Sequence, residues 1–123
     1  MNLKNRVQLI GNLGKDPIAR TFENGNKMTR FSLATSDVYK KNDSFIKDTQ
    51  WHKIVAWGKV AEIVEKNLTA GSEVVIDGYL SQRTYTDNNG TKQYVTEVVA
   101  NSVVFRNNPK ISEKEKNINQ QSA

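Results

Sequence analysis

Cysteine is absent from the 123 residues, and histidine occurs once. The first absence excludes a disulfide framework and any thiolate metal site, and it suits a reducing compartment, so a cytoplasmic protein is expected. The single His52 has no cysteine partner, and its strand neighbours Ile54 and Ala56 read as buried. That favours a core or interface histidine over a metal ligand or general base. Long apolar runs are also missing. Nothing approaches the roughly 18 residues that a membrane span needs, and the opening MNLKNRVQLIGNLGK has no stretch of signal-peptide length. No pair of carboxylates has a spacing suited to acid–base work; Asp16, ahead of Pro17, and Asp87 both read as turn residues. GNLG at 11–14 is not a phosphate loop, because no Lys-Ser/Thr follows and no helix opens there. The expectation is a protein without catalytic residues, cofactor, metal or membrane contact.

What remains is positive charge on a small domain. The formal charge is +5 and the hydrophobic content 37%, which suits one domain with a modest core. Residues 1–106 carry 15 basic and 11 acidic side chains, the remainder 3 and 2. A basic balance favours an anionic partner such as nucleic acid.

Hydrophobic spacing divides 1–106 into strands and one helix. Segments 3–13, 19–23, 27–38, 49–58, 73–86 and 92–106 read as extended. Asn24-Gly25 and Asn89-Gly90 mark hairpin turns, since both residue types tolerate positive φ. The polar, basic stretch 39–48 reads as a long flexible loop. Val60, Ile63, Val64 and Leu68 recur at helical spacing, Glu62 and Lys66 form an i,i+4 pair, and Gly71 stands where a helix would stop. The spacing predicts a helix over 59–70. Five main strands with a helix between the third and fourth is the order of an all-β OB-fold, a five-stranded Greek-key barrel. Residues 107–123, NNPKISEKEKNINQQSA, are too polar to offset their ordering entropy and are expected to be a disordered tail.

Both tryptophans fall in TQWHKIVAWGK, 49–59. Alternation along a strand puts Trp51, Lys53, Val55 and Trp57 on one face, with Lys59 just beyond, and His52, Ile54 and Ala56 on the other. The tryptophan face makes a poor core, because burying an unpaired ammonium is costly. Tyr79, Arg83 and Tyr85 form a second aromatic and basic stripe, Tyr39 precedes Lys40-Lys41, and Arg30 stands on the face opposite Phe31 and Leu33. One reading is a domain edge or subunit interface. The other is a platform on which unpaired bases stack while basic groups meet phosphates; duplex bases do not offer their faces in this way. No helix here suits a groove reader.

VQLIGNLGKDP, FSLATS (31–36), TQWHKIVAWGKVAE, GSEVVIDGYL and YVTEVVAN, in this order over 3–105, resemble the bacterial single-stranded DNA-binding proteins. The resemblance implies an OB-fold assembled as a homotetramer that wraps single-stranded DNA without sequence preference during replication, recombination and repair. Its four base-stacking aromatic positions fall on Tyr39, Trp51, Trp57 and Tyr85, and its interface histidine on His52. Strand parity offers Lys4, Arg6, Arg30, Lys53, Lys59 and Arg83 as phosphate contacts. Members usually end in an acidic tip that recruits replication and repair enzymes; here the sequence ends NINQQSA. Either the chain is truncated or it binds DNA without that recruitment. An RNA-binding or replication-restart OB-fold, or a protein-interaction module, are the alternatives.

Overall fold

A computed structural model describes residues 4–107, the last two by their backbone alone. The elements are β1 (Val7–Leu13), β2 (Ile18–Thr21), β3 (Lys27–Lys41), β4 (Ser44–Trp57), α1 (Gly58–Asn67), β5 (Glu73–Thr86) and β6 (Lys92–Asn107). Strands run β1-β5-β6-β4-β3, and β1 meets β3 again, so five strands close into a barrel with β2 attached to β3. The β4–β6 contact, through Ile54↔Val98 and Val55↔Val99, is parallel, and the other pairings are antiparallel. This is the OB-fold that the element order predicts. The expected tail, from residue 108 onward, lies outside the described residues.

Alternation fills the barrel. Phe31 and Leu33 on β3, Ile54 and Ala56 on β4, Val74 and Ile76 on β5, and Val98 and Ala100 on β6 all point inward and are buried. Each large aliphatic group contributes about 1.5–3 kcal/mol by leaving water. Helix α1 closes the barrel with Ala61, Val64 and Leu68, and the buried Thr29 hydroxyl donates to the Ala61 carbonyl at 3.0 Å, fixing helix to sheet. The apolar stripe is therefore shifted from the predicted one: Ala61 is inside and Ile63 is exposed. Glu62 pairs with Lys27 of β3 at 3.2 Å, a cross-element contact that replaces the expected pair with Lys66. The helix also ends early, at Asn67. Gly71, at φ +87°, sits not at its end but in the next turn, where Ser72 N–H donates to the Thr69 carbonyl. Asp16 binds this turn to the β1–β2 connection by accepting from the Thr69 hydroxyl and the Ala70 N–H.

The expected loop at 39–48 is a hairpin. β3 and β4 pair without interruption from Met28↔Trp57 to Lys41↔Ser44. Asn42 and Asp43 make the two-residue turn with φ +51° and +64°, the positive pair that matches the twist of a tight hairpin. The period-2 signal is missing because both faces of this ribbon are in solvent beyond Thr35. The β5–β6 ribbon also runs past the barrel, and its turn is held by Asp87.

Candidate nucleic-acid interface

The exposed face of β3–β4 meets the β5–β6 ribbon in a groove of about 500 Å³. Arg30, Lys53, Arg83 and Tyr85 line it, over a floor that includes Val55 and Val95. Strand parity puts all four there: Arg30 is the cross-strand partner of Val55, and Lys53 stands two residues on. Arg83 is held at 3.1 Å from Glu97. Arg30 and Lys53 carry no ion pair among the described residues, which leaves their charge available to an anion. A second hollow shares Arg30, Val55, Arg83 and Glu97 with the first and extends it to Trp57, Met28 and Arg20.

The tryptophans flank this path in water, Trp51 with 62% and Trp57 with 45% of its surface exposed. Neither is loose. The far edge of the Trp51 indole rests on Gly14, where a Cβ would lie 2.6 Å from the ring. Trp57 stands at the corner between β4 and α1, and Gly58 at φ +61° makes the corner possible. Its ring stacks on Phe22 at 5.8 Å between centroids and 21° between planes, and the Arg20 guanidinium covers the Phe22 ring at 4.7 Å. One indole face is thus backed by protein, a preordered surface for a flat ligand.

The remaining expected residues are elsewhere. Tyr39 is exposed on the opposite face of the β3–β4 ribbon, paired with Ile46. Lys4 is exposed ahead of β1, and Lys59 is exposed in the first turn of α1. Arg6 grips Asp77 through two hydrogen bonds of 3.3 and 2.9 Å. His52 is half-buried, hydrogen-bonded at 2.8 Å to the Thr35 hydroxyl, and lines a shallow hollow beside Ile10. No group of three or more His, Cys, Asp or Glu side chains fit to hold a metal occurs among the described residues.

A model of the single-strand binding protein family matches residues 4–106. The chain belongs to this family. It is 43% identical over 98 residues to single-stranded DNA-binding protein 1 of Xylella fastidiosa, covering 78% of this chain and 72% of that protein. Against single-stranded DNA-binding protein 1 of Chlorobaculum tepidum the identity is 44% over 97 residues, spanning 77% of this chain and 60% of that one. The fold superposes on a solved Plasmodium falciparum SSB complex with ssDNA at a TM-score of 0.76 and 29% identity, covering 87% of this chain and 100% of that one.

Within the family barrel, sequence reasoning missed Lys15, Arg20 and Phe22. Lys15 lines the first hollow and Arg20 the second, and Phe22 backs Trp57. The basic-x-aromatic spacing of Arg20-Thr21-Phe22 repeats that of Arg83-Thr84-Tyr85, and was a usable signal.

Proposed function

We propose that this chain is a sequence-independent single-stranded DNA-binding protein that coats exposed strands in replication, recombination and repair. One observation carries the reading: Trp51, Trp57 and Tyr85 stand in solvent around a groove whose Arg30 and Lys53 have no protein counter-ion among the described residues. Bases stack on the rings at roughly 1–3 kcal/mol each, a gain that every base can supply, while the cations release counterions from the phosphates. Tyr39, across the ribbon from these rings, serves a strand that has passed over the ribbon's edge. The same reading assigns Lys4, Lys59 and Arg83 to phosphates, and His52, with the exposed Ile10 beside it, to the contact between subunits of a homotetramer.

Tryptophan emission tests this directly. Titration with poly(dT) should quench both indoles strongly, and competition should rank poly(dT) above poly(rU) and duplex DNA at equal salt. Emission unchanged by poly(dT) at low salt, or a preference for RNA, overturns the proposal.

A further inference from the structure

Strand β4 and the start of α1 carry three copies of one short pattern, an aromatic residue followed two positions later by lysine: Phe45-Ile46-Lys47, Trp51-His52-Lys53 and Trp57-Gly58-Lys59. The aromatic residues are six apart, and the uninterrupted register with β3 puts all three on one face of the ribbon. At about 3.3 Å per residue, successive rings are roughly 20 Å apart along the strand. The first of the three, Phe45, is at the hairpin tip, with 78% of its surface in water.

A single exposed phenylalanine needs no explanation by itself. Its setting does. On this face of the ribbon β3 presents Met28, Arg30, Ser32, Ala34, Ser36, Val38 and Lys40, and β4 presents Phe45, Lys47, Thr49, Trp51, Lys53, Val55 and Trp57. Lys40 is directly across from Phe45, and Val38 from Lys47. The face bears no carboxylate. The two acidic residues of the ribbon strands, Asp37 and Asp48, are cross-strand partners on the other face. Like charges set directly opposite one another oppose strand pairing, so this segregation is not what stability alone would select. It leaves one face of the arm cationic and aromatic from the groove to the tip.

We infer that Phe45 is a further base-stacking position, in series with Trp57 and Trp51, and that Lys47, which has no ion pair among the described residues, holds the phosphate beside it, whereas Lys40 stands 3.9 Å from the Asp43 carboxylate of the turn. The β3–β4 arm then lengthens the nucleic-acid path well past the barrel, and the right-handed twist of a two-stranded ribbon turns that path as it goes. The inference rests on the DNA-binding function proposed above and names an added part of its site. The charge of the face selects a polyanion over an apolar protein partner.

Affinity for poly(dT) would be measured for the full chain and for Phe45→Ala, Phe45→Tyr and Trp51→Ala. Phe45 makes no core contact, so its replacement leaves the fold intact. Phe45→Ala should weaken binding about fivefold or more, within the range of a lost stacked base, and Phe45→Tyr should restore it. Wild-type affinity in Phe45→Ala with a weakened Trp51→Ala overturns the arm path and spares the DNA-binding reading. No loss in either variant overturns both. A changed subunit count in Phe45→Ala, by native mass spectrometry and without loss of affinity, makes the tip a protein contact and also overturns the inference.

Discussion

A glycine decides where Trp51 stands. The indole edge lies against Gly14, and a methyl there would sit 2.6 Å from the ring. The obstacle is the far end of a side chain, so Gly14→Ala keeps the barrel and tilts the indole. The expected result is poly(dT) binding weaker by about 1 kcal/mol, the scale of a side chain forced off its rotamer, with altered Trp51 emission in a Trp57→Phe background and little change in melting temperature. Unchanged emission would show that the ring does not depend on this contact. The exposure of both tryptophans was legible in the sequence, because Lys53 between them rules out a core face. The backing of Trp57 by Phe22 was not, since these residues are 35 positions apart and their stacking is set by the fold. Nor did sequence show that Arg6 is engaged by Asp77, 71 positions away.

The hairpins were legible where their turns held Asn-Gly and illegible where they did not. Asn89-Gly90 announced the β5–β6 turn, where the glycine alone takes positive φ, whereas Asn42-Asp43 puts two non-glycine residues at positive φ and was hidden in a polar stretch. The helix was visible by its period, but its inward face was misplaced, because Ala61 is too small to register as apolar and Ile63 is apolar but outside. The β5–β6 turn carries a consequence in pH. Asp87 is held below the usual carboxylate range, first by the Thr91 N–H, then by the Gln93 amide; desolvation opposes them, and the Asn89 N–H adds the least. A lowered folded pKa means that the unfolded chain binds more protons in this range, so the contribution is complete above the unfolded value near 3.8 and is lost as pH falls through the folded one. Melting temperatures taken from pH 5 to pH 2 should fall more steeply for wild type than for Asp87→Asn. Parallel curves would mean that the charge adds nothing to the turn.

Across the whole molecule the net charge is +5, and the placement of the cations decides which of them can meet a phosphate. Residue spacing alone does not separate cations that face the groove from cations that hold the fold; that sorting needs partners from distant strands. Lys53 and Arg30 line the groove without counter-ions among the described residues, whereas Arg6 is spent on Asp77. Counterion release makes the distinction measurable, since each phosphate neutralised on a single strand adds about 0.7 to the slope of log K against log salt. Lys53→Ala should therefore lower that slope by about 0.7 and leave the melting temperature nearly unchanged. Arg6→Ala should leave the slope as it is and lower stability by about 1 kcal/mol or less, the scale of an exposed ion pair. Trp51→Ala should weaken binding at every salt concentration with the slope preserved, because stacking releases no ions. A slope that falls equally for Lys53→Ala and Arg6→Ala would mean that the strand runs past β1 as well, and that the Asp77 pair opens to receive it.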